Sequence, residues 1–301
     1  MTYLQLAAHL FLLLFWTRFW VRPEQEFYFN PFLSGTTRLI DGIIGFLRPA
    51  LMLPDRLMAL VLLVLFWAFQ AVFFVRFGKA WHIAFGMVYF APPEEALSWG
   101  TQLACSGLRS AQFLLQVWTL SFLVRLISPP TRTTRAQEVL AFLTSPFSRI
   151  PLLAQPLVLM ALHVGLVLAV LRTAALPSVV DIVQGETTGI QHVLAGGSAL
   201  GQLYHTGLLA LMSFVSGLEA LLYALVVFLF AGLATMLFGA KGPAIICRES
   251  ADLLMGRFAR NASSASGGID FTPLFFIIIV NLISHYLQTG LGRLVLLPLP
   301  L

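Results

Sequence analysis

The chain has 301 residues, of which 58% are hydrophobic and only 10% charged, with a net charge of +5. Soluble domains carry about 25% charged residues, so the composition excludes an ordinary soluble globule and reads as an integral membrane protein, best counted in spans of about 20 residues. The basic residues sit between apolar stretches and no nucleic-acid motif occurs, so the partner they imply is a surface of anionic lipid headgroups.

In chain order, six apolar segments qualify as spans: 3–20, 57–76, 103–127, 152–174, 206–238 and 272–292. The first, opening "MTYLQLAAHLFLLLFW", lacks a positive leading region and a small-residue cleavage site. Its charges, Arg18 and Arg22, follow the apolar stretch, the reverse of a secretory signal. It is expected to be a retained span with an external N-terminus. The fifth segment is long for one crossing and is expected to tilt, to extend into the interface or to bend near Gly217.

The basic residues sort by connection. Arg18, Arg22, Arg38, Arg48 and Arg56 surround the first, Arg125, Arg132, Arg135 and Arg149 the third, and Lys241, Arg248, Arg257 and Arg260 the fifth. The second and fourth connections and the C-terminus hold only Arg76, Lys79, Arg172 and Arg293, while Arg109 falls inside a span. By the positive-inside rule the odd connections are cytoplasmic and both termini external. Cys105 and Cys247 then fall on opposite faces as small apolar fillers rather than a disulfide. The "NAS" sequon at 261–263 falls on the cytoplasmic side and is discounted.

Each odd connection holds an amphipathic stretch. The first groups Phe32, Leu39, Ile43, Phe46 and Leu47; the second Val139, Leu140, Leu143 and Phe147; the third Ile246, Leu253, Leu254 and Phe258. Basic amphipathic helices of this kind lie in the interface plane. Each connection nears its end at Pro54, Pro151 or Gly267-Gly268, where the chain is redirected. The expected fold is therefore all-α and polytopic, with six spans in three span–interfacial helix–span repeats of about 100 residues. The units are 1–78, 103–175 and 205–301, with external connections at 79–102 and 176–204.

"NPF" (Asn30, Pro31, Phe32), "SPFSRIP" (through Arg149 to Pro151) and "GGIDFTP" (Gly267, Gly268, Asp270 to Pro273) touch all three units. The chain resembles the YggT family of small bacterial and plastid membrane proteins. Their unit is a span, an interfacial helix opening on an N-P-F-type motif and closing on P-x-R-x-x-P, then G-G-x-D-x-[ST]-P at the next span. The usual family member carries one or two such units, whereas this chain shows three. The acid of the last motif is replaced by Pro54-Asp55-Arg56 in the first unit and is missing from "PLLAQP" in the second. The resemblance implies a bacterial inner membrane and a role without settled biochemistry. Bacterial members are linked to cell division or osmotic tolerance. Plastid relatives are linked to thylakoid organisation and to haem assembly on the cytochrome b6-f complex.

Several polar residues could carry chemistry. Asp270, just before Thr272-Pro273, reads either as a helix cap, with Arg257 or Arg260 as ion-pair partners, or as an ion or proton site at the cytoplasmic mouth. Glu219 lies within the fifth span, where an acid is costly and points to function. It is expected to pair with Arg109 of the third span in the outer half of the membrane, to serve transport or proton transfer, or else one of the two lies at the interface. His9, His163 and His285 lie in spans, with Asn281 four residues before His285 on the same face. Hydrogen bonds between helices, proton relay and haem ligation are all chemically open to them. No phosphate loop, HExxH, GxSxG, CxxC or paired-carboxylate motif appears. The expectation is a non-enzymatic protein without cofactor or metal, a scaffold or assembly factor for a membrane-protein partner. A small-solute or ion transporter is the alternative, and a haem-handling factor in cytochrome maturation follows from the resemblance alone.

Overall fold

The computed structural model describes residues 3–21, 31–76, 83–86, 88–90, 98–128, 134–173, 178–182, 186–189, 199–239, 241–258 and 271–296. Among these, the helices are α1 (Tyr3–Trp20), α2 (Pro31–Leu51), α3 (Asp55–Arg76), α4 (Trp99–Ile127), α5 (Arg135–Leu143), α6 (Gln155–Arg172), α7 (Ala199–Leu237), α8 (Lys241–Met255) and α9 (Thr272–Leu296). Five of them, α3, α4, α6, α7 and α9, are long and apolar enough to cross a membrane, and α1 contributes a shorter apolar stretch, Ala7–Trp20. The protein is an all-α, multi-pass membrane protein, as expected. In chain order a long helix, a more amphipathic one and a second long one follow each other three times.

Local sequence sets the helix ends. Pro31 opens α2 at the position where its missing N–H costs nothing. Thr134 and Gln137 form a reciprocal capping box on α5. At the end of α7, Gly239 adopts a left-handed conformation, φ 73°, and its N–H bonds back to the Met236 carbonyl.

After that tight turn α8 folds back along α7. Cys247 meets α7 at Gly232, and Ala251, Leu253 and Leu254 pack farther back with Leu221 and Leu225. α2 differs from expectation in its buried face. It packs Ile40 and Ile44, with Ile43 and Leu47 beside them, against Phe15, Met58 and Ala59. Leu39 and Phe46 instead stay outward, Phe46 at 84% exposure. A stripe of apolar residues wider than one packing face cannot be divided between neighbour and lipid from the sequence.

Within each unit the two long helices pack together, α1 on α3, α4 on α6 and α7 on α9. α4 and α7 join the units at the centre, and α5 links α1 to α8. α4 and α7 run in the same direction. They approach closely at Gly217, where a Cβ would collide with the Cγ2 of Thr119. Gly217 lies inside the continuous α7 helix and serves its packing on α4.

Four short strands add a feature the sequence reading did not contain. β1 (Ile83–Phe85) and β2 (Val88–Phe90) form a hairpin, and β3 (Ser178–Ile182) and β4 (Glu186–Gly189) extend it, in antiparallel order β1-β2-β3-β4. The two connections opposite the amphipathic helices are thus joined through the β2–β3 ladder. The hairpin does not stay at the bundle surface. Ile83, Phe85, Val88 and Phe90 are buried with Leu115, Leu166, Val167 and Leu209 of α4, α6 and α7.

Candidate functional site

Gly86 turns the hairpin with φ 60°, a conformation that suits glycine. Its missing side chain faces Met212 of α7 and Gln288 of α9. Met212 lies thirteen residues into α7, and Gln288 eight from the end of α9. At 1.5 Å per residue the tip is therefore about 12–20 Å inside the ends of those helices. Irregular backbone enclosed between apolar helices must have its polar groups met. The side chain of Gln112 does so by donating from Nε2 to the carbonyl of Ala84.

Arg109 belongs to this arrangement. Its Nη1 donates to Oε1 of Gln112 at 2.6 Å, which orients the amide toward the hairpin. The expected ion pair between Arg109 and Glu219 is not formed, and helix register explains why. With Gly217 beside Thr119, Glu219 lies near the level of Ser121. The twelve residues from Arg109 to Ser121 span about 18 Å along the axis. Glu219 is half-buried, with no hydrogen bond or ion pair among the described residues. It lies toward the amphipathic side, not in the opposite half where the pairing was expected.

His163 on α6 is fully engaged. The Thr119 hydroxyl donates to the Leu115 carbonyl at 2.8 Å, so its oxygen accepts from His163 Nε2–H at 3.1 Å. Nδ1 is then the acceptor, and the Ser213 hydroxyl donates to it at 2.8 Å. The ring ties α4, α6 and α7 together. His9 plays a similar part in the first unit, where Gln70 Nε2 donates to its Nδ1 at 3.4 Å across α1 and α3. Beside His9, a cavity of about 370 Å³ lies between α1, α3 and α4, walled by Trp16, Trp67, Ser110 and Phe113. Asn281 and His285 differ from both. They lie on α9 facing outward, and the His285 ring stands 6.0 Å from that of the adjacent Tyr286.

Of the motif residues, Arg149 closes a short 3-10 turn, Phe147–Arg149, and points outward, as does Pro151. The rest of "SPFSRIP" is locked into the bundle. Phe147 stacks on Trp118 with ring centroids 5.5 Å apart, Trp16 Nε1 donates to the Ser145 carbonyl, and Gln155 Nε2 donates to that of Ile150. Pro273 sits in the first turn of α9. Asn30, Gly267, Gly268 and Asp270 lie outside the described residues, as do the side chains of Pro31 and Phe32.

The sequence reading missed a charge cluster in the first unit. Buried Arg18 pairs with Asp41 at 2.8 Å and Asp55 at 3.7 Å, and Arg48 approaches Asp55 at 3.9 Å. Asp55 therefore binds the entrance of α3 to α1 and α2. Arg18 counted only as a boundary charge in the sequence, although an arginine followed at interfacial-helix distance by two acids was a usable signal. Among the described residues no three His, Cys, Asp or Glu side chains stand close enough to share a metal ion. No family model, curated protein or solved structure matches the chain.

Proposed function

We propose that the chain is a non-enzymatic scaffold or assembly factor of the YggT type, built of three tandem units in a bacterial inner membrane. Its amphipathic side faces the cytoplasm and anionic headgroups, and both termini face outward. One observation carries this reading: the amphipathic side presents large apolar residues beside exposed cations. On α2 these are Leu39, Phe46 and the following Met52 with Arg38 and Arg48; on α8 they are Ile245 with Arg248. Such a surface suits headgroups and membrane-bound proteins together. The engagement of His163 between three helices, and of Gln112 between Arg109 and the hairpin, agrees with it.

The test is photocrosslinking in living cells. A crosslinker at Phe46 or Ile245 is expected to capture one membrane protein reproducibly, and one at lipid-facing Phe69 of α3 is expected to capture none. Equal capture at all three positions, or none at Phe46 and Ile245, overturns the reading.

The re-entrant hairpin favours a second reading, a small-solute or ion transporter. A plug of irregular backbone between spans, ringed by Arg109, Gln112 and Gln288, is how a path across a bundle can be closed. Solute flux into liposomes bearing the purified protein, abolished by Glu219→Gln, separates it from the scaffold.

A further inference from the structure

Leu274, Ile278, Asn281 and His285 follow one another on α9 at spacings of four, three and four. All four are exposed, while Phe276, Ser284 and Gln288 are buried against the rest of the chain. A 4-3-4 spacing is the seam of a left-handed helix pair. Here the seam points away from the protein. Asn281 lies nine residues from the start of α9 and His285 thirteen, about 14 and 20 Å along the axis. Both therefore fall well within a hydrocarbon layer of about 30 Å. Polar side chains at that depth normally face a bundle interior or a water-filled cavity. Among the described residues neither side chain has a hydrogen-bond partner.

We propose that this seam is the contact between two copies of the chain, related by a twofold axis along the membrane normal. Copies inserted in the same orientation hold Asn281 at the same depth, and α9 meets its copy in parallel. A carboxamide both donates and accepts, so Asn281 pairs with its own copy, and His285 one turn away lies opposite its own copy in the same way. A polar side chain within the seam of a parallel pair favours the register that pairs it with its copy. A different protein would need its own polar group at this depth and on the matching face; a second copy supplies it by symmetry. Leu274 and Ile278 provide the van der Waals contact that drives association in lipid. The inference stands whether the chain is a scaffold or a transporter.

The test uses the purified full chain in liposomes, with no other protein present. Single-molecule photobleaching is expected to show dimers, with fraction rising with protein-to-lipid ratio. In a Cys247→Ser background, Ile278→Cys is expected to crosslink across the dimer and Ile283→Cys, exposed on another side of α9, is not. The double variant Asn281→Leu, His285→Leu is expected to lower the association constant about three- to thirtyfold. Ile278→Trp, which blocks the seam without touching its polar groups, is expected to do the same and serves if the double variant does not accumulate. Monomers at every ratio overturn the proposal. So do undiminished dimerisation of both seam variants, equal crosslinking at Ile278 and Ile283, or capture of another protein at Ile278→Cys in native membranes without self-crosslinking.

Discussion

The centre of the bundle and the outer face of α9 each hold a histidine within an apolar span, and they treat it in opposite ways. His163 is enclosed, with one ring nitrogen bonded to α4 and the other to α7. His285 looks outward beside Asn281, with no hydrogen-bonding partner among the described residues. Hydropathy does not tell these helices apart, since both α6 and α9 read as spans. The difference lies in which side of the helix packs. In lipid a polar group is either closed within the chain or reserved for something outside it.

The sharpest way to break the enclosed site is to push α4 and α7 apart. Gly217→Val places side-chain atoms where Thr119 already stands and is expected to destabilise the protein by about 3 kcal/mol or more. Unfolding in mixed detergent micelles reads this. The smaller Gly217→Ala is expected to cost about 1–3 kcal/mol, and adding Thr119→Ala should recover part of it. No recovery would mean that the two residues are not what sets the approach.

The comparison itself predicts unequal histidines. His163→Ala removes two hydrogen bonds and leaves a void, for an expected loss of about 2–4 kcal/mol. His285→Ala, in monomeric micelles, is expected to fall within about 0.5 kcal/mol of the parent. Equal losses would abolish the distinction drawn between the two sites. Next in size is Gln112→Leu, which deprives the part-buried Ala84 carbonyl of its side-chain donor and is expected to cost about 1–3 kcal/mol. Hydrogen exchange should quicken in the β1–β2 hairpin before it does in α4. Unchanged protection there would show that the hairpin is held by its apolar side chains alone.

The helical architecture was legible because span length and hydrophobicity are local properties, and the amphipathic connections announced themselves through Arg and Pro. The β1–β2 hairpin was not legible. "IAF" and "VYF" are too short to show a strand period, and what buries them is a space between α4, α6 and α7 that exists only once those helices pack. The polar residues divide in the same way. His163 was visible as a bridging candidate, but its partners Thr119 and Ser213 are ordinary span hydroxyls until three helices bring them together. The Arg109–Glu219 pair failed because position within a segment is not depth in the bundle. α7 runs for 39 residues, and its offset against α4 is set by Gly217, a residue without a side chain.

Glu219 is the smallest expected effect and the most discriminating. It sits half-buried in α7, about 9 Å along the axis from the level of the last residue of α4, with no cation or donor bound to it among the described residues. Glu219→Gln keeps the shape and removes the charge, so no bond is lost, and stability is expected to stay within about 0.5 kcal/mol. A carboxylate that contributes nothing to folding is retained either by chance exposure near the headgroups or by a task of its own. If Glu219→Gln folds normally, reaches the membrane at the parent's level and still abolishes function in cells, the charge itself does the work and the transporter reading gains. If function is intact, the acid is incidental, and the working surface lies with Phe46, Ile245 and their neighbouring arginines. A loss of stability above about 1 kcal/mol would reveal a structural partner for Glu219 and return it to the same class as His163.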